Sequence, residues 1–76
     1  MRVIARFFRM KGMLDDHYTM YENGDVLHEF DASIYPGNQD LKRTINAKDL
    51  NSEIKEKLLE NASEADKELA KNLLGL

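Results

Sequence analysis

The chain has 76 residues and a formal net charge of -3, and its composition, 42% hydrophobic and 33% charged, is typical of a folded domain. The absence of cysteine excludes disulfide bonds, cysteine-ligated zinc and thiol chemistry. No stretch approaches the roughly 20 apolar residues that cross a bilayer, and arginines interrupt any export signal. We therefore expect one cytoplasmic domain over residues 1–76 with no membrane role.

Residues 2–11 are compatible with a helix or a strand. A helix would place Val3, Ile4, Phe7 and Phe8 on one face, opposite the arginines. The β-branched and aromatic residues favour an extended segment, and a two-stranded hairpin needs a third strand for stability. We predict a strand near residues 2–10, with its phenylalanines in the core.

Asn23-Gly24 predicts a β-hairpin, because both residues tolerate the positive φ angles of a tight turn. Strands are expected near residues 17–22 and 25–31. A two-residue turn would pair Thr19 with His28 and Tyr21 with Val26, whereas a glycine bulge would pair Tyr18 with His28 and Met20 with Val26. The bulged register is favoured, because it gathers a more apolar set on one face: Tyr18, Met20, Val26, His28 and Phe30.

The second half predicts a loop followed by helices. Residues 32–40 contain Pro36-Gly37, which suits a type II turn, and residues 41–45 could form a fourth strand. Asn46 is expected to cap a short helical turn, Ser52 a helix over 53–61, and Ser63 a second helix that ends at Gly75. The short link between these helices predicts that they pack as a pair.

The expected fold is α+β, an antiparallel meander of three or possibly four strands with a C-terminal helical hairpin packed on one face. The meander occupies about residues 2–31, the turn loop 32–40, and the helical part about 46–74.

The charges are unevenly distributed along the chain. The first 14 residues carry only basic charges, whereas residues 15–40 carry only acidic ones. Pairing between neighbouring strands would explain this pattern. An alternative is a nucleic-acid-binding accessory protein, whose basic surface would contain Arg2, Arg6, Arg9, Lys11, Lys42 and Arg43.

His17 and His28 lie among carboxylates on the hairpin and are weak candidates for a metal site. The hairpin register determines whether the two imidazoles share a face. Asp15-Asp16 and Glu29 with Asp31 could form acid/base pairs, but these need a cleft for which so small a domain has little room. We expect neither an enzyme nor a cofactor.

The loop residues Tyr35, Pro36 and Asn38 are the candidate partner contacts, because an aromatic side chain on a rigid loop is a common recognition anchor. The function expected from the sequence is a small non-enzymatic protein-interaction module. A homodimer through a sheet edge is possible, and nucleic acid is the less favoured partner.

Overall fold

The computed structural model describes residues 2–11, 14–30 and 41–76. Its sheet contains β1 (Val3–Lys11), β2 (Leu14–Tyr21), β3 (Asp25–Phe30) and β4 (Leu41–Asn46). All neighbouring strands are antiparallel, and their order in the sheet is their order in the chain. The meander, its fourth strand and the extended conformation of the first segment are therefore confirmed.

The hairpin between β2 and β3 adopts the bulged register. Tyr18 lies opposite His28, and Met20 lies opposite Val26. Gly24 has a φ of 92°, in the left-handed region that favours glycine. The turn lies close to the C-terminal helix, since a Cβ atom placed on Gly24 would be 3.3 Å from Leu73 Cδ2.

The helical part contains a 3-10 turn (Ala47–Asp49), α1 (Ser52–Asn61) and α2 (Lys67–Leu74). The predicted cap at Asn46 is confirmed, because its side chain accepts a hydrogen bond from the Lys48 backbone N–H at 3.0 Å. The cap predicted at Ser52 is wrong by one residue. Asn51 Oδ1 accepts from the Ile54 N–H at 2.9 Å, so Ser52 is the first residue of the helix.

Ser63 does not cap α2, contrary to the prediction. Its carbonyl accepts a hydrogen bond from the Asp66 N–H, and its hydroxyl donates to the Asp66 carboxylate at 3.0 Å. These bonds close a turn before the helix, which begins only at Lys67. The predicted end at Gly75 is confirmed, with a φ of 77°.

The two helices pack on one face of the sheet, here called the inner face. The largest fully buried side chains there come from both layers: Met20, Val26, Ile54, Leu58 and Leu74. A bulge in β1 between Val3 and Ala5 lets the consecutive residues Ile4 and Ala5 both be buried. The helical side of the core is aliphatic, and its sheet side includes the buried ring of Tyr18, with Phe7 packed against the core.

Candidate functional site

The opposite side of the sheet, here called the outer face, is not covered by the helices. Its most exposed apolar side chains are Phe8 and Met10, with 53% and 63% of their surface accessible. Other apolar and threonine side chains of this face come from all four strands: Val3, Thr19, Tyr21, Leu27 and Thr44. An apolar surface of this kind is a common site of protein contact.

Strand register aligns the outer-face side chains in rows that cross the sheet. Phe8 lies opposite His17, His17 opposite Glu29, and Glu29 opposite Lys42. The Phe8 and His17 rings are in contact, with 4.6 Å between their centroids. We call these four residues the Phe8 row. The neighbouring row contains Arg6, Thr19, Leu27 and Thr44.

A shallow depression lies beside these rows, near the hairpin turn. It is lined by Tyr21, Asp25, Leu27 and Thr44, and most of its surface is apolar. The outer face therefore offers a depression into which a partner side chain could fit. It also offers exposed side chains that could pack into a depression on the partner.

A polar cluster lies on the inner face beside the start of α1 and is formed by Arg9, Asp16, His28 and Glu53. Asp16 accepts hydrogen bonds from His28 Nε2 at 2.9 Å and from Arg9 Nε at 3.2 Å. Arg9 also reaches Glu53 of α1 at 3.5 Å. Partial burial acts to raise the pKa of Asp16, but the hydrogen bonds from His28 and Arg9 outweigh it and hold this pKa below its usual value.

Aromatic rings adjoin the polar cluster. Tyr18 stacks on His28, with ring centroids 4.2 Å apart and planes inclined by 6°, and His28 stacks in turn on Phe30 at 4.5 Å. Burial raises the pKa of the Tyr18 hydroxyl. These contacts hold His28 between a carboxylate and two rings, so its position is explained by packing within the chain.

An open groove of about 610 Å³ runs between this stack, β4 and the start of α1. Its wall includes Tyr18, His28 and Arg43 on the sheet side and Asp49 and Asn51 on the helical side. Charges of both signs line it, so the groove does not select for one sign of ligand.

The two histidines cannot hold one metal ion together. The bulged register places His17 on the outer face and His28 on the inner face. Within residues 2–11, 14–30 and 41–76, no three potential His, Asp or Glu ligands come together. The Asp15-Asp16 carboxylates likewise lie on opposite faces, and Asp31 is outside the described residues.

The basic residues of the nucleic-acid alternative do not form one surface. Arg2 contacts Glu22 at 3.6 Å and Asp66 at 2.8 Å, and Arg9 belongs to the polar cluster. Arg43 is on the inner face, whereas Arg6 and Lys42 are on the outer face at opposite sheet edges. The side chain of Lys11 is outside the described part of the structure. Pairing of the basic segment with neighbouring acids, the first explanation of the charge pattern, is confirmed for Arg2 and Arg9.

The candidate contacts Tyr35, Pro36 and Asn38 lie outside the described residues. The surface that sequence reasoning missed is the outer face, because both phenylalanines were expected in the core. Phe7 does pack against the core, with its ring 6.0 Å from that of Tyr18. Phe8 points to the other side. Strand alternation is the signal that could have predicted the exposure of Phe8, since adjacent residues of a strand face opposite sides of the sheet.

In the part of the chain that the structure describes, no helix is long and apolar enough to cross a membrane. Comparison of the chain with known protein families, curated proteins and solved structures gives no match in any of the three.

Proposed function

We propose that this chain is a non-catalytic protein-interaction domain that contacts its partner through the outer face of the sheet. The observation that carries the proposal is the exposure of Phe8 and Met10 on a sheet face that the helices leave uncovered. One face of the sheet supplies the fold with its core, and the other is available for binding.

The charges of the outer face favour a protein over a nucleic acid. Among the residues that the structure describes, the strands place two cations on this face, Arg6 and Lys42, and three carboxylates, those of Asp15, Asp25 and Glu29. A face with this balance repels a phosphate backbone, whose binding depends on concentrated positive charge. Mixed charges around apolar side chains are instead typical of the polar rim and apolar centre of protein interfaces.

The state of the polar cluster supports a non-catalytic role. A general acid needs a raised pKa, whereas hydrogen bonds from His28 and Arg9 lower that of Asp16. Asp16 is instead an ionised ion-pair partner for Arg9, and the lowered pKa extends its ionised form to more acidic pH. The cluster is best explained as a support for the part of the sheet that extends beyond α1.

The proposal is tested by site-specific photo-crosslinking in the native host cells. A photoreactive phenylalanine analogue replaces Phe8 in one version of the chain and Leu69 in another. Leu69 is the matched control, because it is an apolar residue of α2 with 37% of its surface exposed, on the other side of the molecule. We expect a discrete protein adduct from position 8 and none from position 69.

The absence of a protein adduct at position 8 would refute the proposal, as would identical adducts from both positions. A titration of the purified chain with mixed-sequence oligonucleotide at low salt completes the test. We expect no shifts in the NMR signals of the outer face; saturable shifts at Arg6 and Lys42 would favour the nucleic-acid alternative instead.

A further inference from the structure

We infer that the partner of the outer face is a second copy of this chain, packed sheet to sheet about a two-fold axis parallel to the strands. This inference rests on the proposed function and adds to it the identity of the partner. Three features support it: the charge pattern of the Phe8 row, the size of the face, and the small core of the isolated chain.

The Phe8 row is complementary to itself when reversed. A two-fold axis parallel to the strands places β1 over β4 of the second copy and β2 over β3. The four residues lie side by side across the sheet. The reversed row therefore brings His17 of each copy opposite Glu29 of the other, so that this contact forms two times in the dimer. A two-fold axis along the row itself would instead oppose Glu29 to its own copy.

The ends of the row are complementary as well. The same operation places the Lys42 ammonium of one copy over the exposed Phe8 ring of the other, a geometry in which cation and ring attract each other. Arg6, in the neighbouring row, faces Thr44 of the second copy rather than a like charge. Electrostatics thus favours this one alignment, within the small angle at which two twisted sheets pack.

The size of the face suits a weak and specific dimer. A third row, with Val3 opposite Tyr21, follows that of Arg6. Four strands about 4.8 Å apart and three rows spaced by about 6.8 Å give a footprint of about 400 Å² per copy. The accessible surface is larger than the flat footprint, because side chains project from it. Summed over both copies, the interface buries on the order of 1,000 Å² of accessible surface, the lower end of specific interfaces. Interfaces of this size are typical of weak, transient association, and we expect a dissociation constant in the micromolar range.

A second copy would also relieve a weakness of the fold. A chain of this length buries only about 60% of its unfolded surface, and dimerisation is a common way to add to such a core. Covering Phe8 removes the most exposed aromatic side chain of the described sheet from water.

Sedimentation equilibrium of the full chain, from about 5 to about 500 µM at neutral pH, measures the association constant. We expect a reversible monomer–dimer equilibrium. Phe8→Lys should weaken association by at least about tenfold, because it removes the exposed ring and places a second ammonium opposite Lys42 of the other copy. Leu69→Glu, on α2, should leave it unchanged. Far-UV circular dichroism checks that both variants remain folded.

Charge exchange between copies provides the sharper test. His17→Glu places two carboxylates opposite each other in the homodimer, and Glu29→Lys removes the carboxylate that His17 faces, so each variant alone should associate at least about fivefold more weakly. An equimolar mixture of the two should regain dimer, since Glu at position 17 of one chain then faces Lys at position 29 of the other. A defect confined to one chain could not be repaired by mixing.

A chain that stays monomeric at about 500 µM would overturn the inference, as would a dimer that is sensitive to Leu69→Glu or is not restored in the mixture. A monomeric chain that still forms a position-8 adduct with a different protein in cells would refute only the homodimer. Loss of both results would refute the proposed function too.

Discussion

The contacts of Asp16 predict that its negative charge stabilises the folded chain. Asp16 receives hydrogen bonds from two side chains, His28 and Arg9, and only 18% of its own side chain is exposed. Hydrogen bonds to an ionised group contribute more than those between neutral groups. The ionised form is therefore the one that the folded chain stabilises.

Asp16→Asn should lower the free energy of unfolding at pH 7 by about 1–2 kcal/mol, because the amide replaces the ionised acceptor of both bonds. The pKa of Asp16 is lowered in the folded chain, so the unfolded chain binds the proton more readily. The extra stability of the wild-type chain over Asp16→Asn is therefore fully present above the unfolded pKa of about 4. It is lost as the pH falls through the pKa of Asp16 in the folded chain.

Urea unfolding of both proteins at pH values from 7 down to about 3 measures this difference. Glu68→Gln is the control, because it neutralises an exposed carboxylate of α2 and should change stability by less than about 0.5 kcal/mol at every pH. A difference between wild type and Asp16→Asn that stays constant over the whole range would show that the carboxylate charge is not responsible.

At the scale of the elements, two variants at the start of α1 test the observed cap, Asn51, against Ser52, the cap expected from the sequence. Asn51→Ala should destabilise the domain by about 1 kcal/mol, because the Ile54 N–H loses its acceptor. Ser52→Ala should cost less than about 0.5 kcal/mol, since Ser52 is exposed and is already helical.

Denaturation midpoints of these two variants, measured in urea by circular dichroism, are sufficient for the comparison. Equal losses, or a larger loss for Ser52→Ala, would mean that the helix begins one residue later than the structure places it. The sequence could not separate the two positions, because asparagine and serine are both good caps and they are adjacent.

At the scale of the whole molecule, the single core couples the sheet to both helices. Leu74 is completely buried near the end of α2, whereas Leu69 of the same helix is 37% exposed. Leu74→Ala should cost about 2–4 kcal/mol, a large part of the roughly 4–11 kcal/mol expected for a domain of this length. Leu69→Ala should cost well under about 1 kcal/mol.

Thermal and urea unfolding of the Leu74 variant should be followed both by far-UV circular dichroism and by tyrosine fluorescence. All three tyrosines precede the helical part of the chain, and Tyr18 and Tyr21 lie in β2, so fluorescence reports on the sheet. The two signals should shift together. A variant in which the helical signal is lost while the fluorescence transition is unchanged would show that α2 folds independently of the sheet.

Local patterns were sufficient to predict most of the architecture. Asn23-Gly24 placed the hairpin, the apolar alternation around it selected the bulged register, and the helical spacing of leucines placed the paired helices. These features depend on residues near one another in sequence, where turn geometry and side-chain periodicity act directly. The same patterns could not place the start of α2, because a turn closed by Ser63 and Asp66 competes with the first turn of a helix.

The candidate site depended on contacts between distant residues. Phe7 and Phe8 are chemically identical, and only the pairing of Phe7 with Tyr18 across β1 and β2 shows which ring joins the core and which stays exposed. Likewise, Arg9 pairs with Asp16 of the next strand, and Arg2 pairs with Glu22 and with Asp66, which is 64 residues away in the chain. Alternation along a strand specifies that two faces exist, whereas the choice between them follows from where the helices pack.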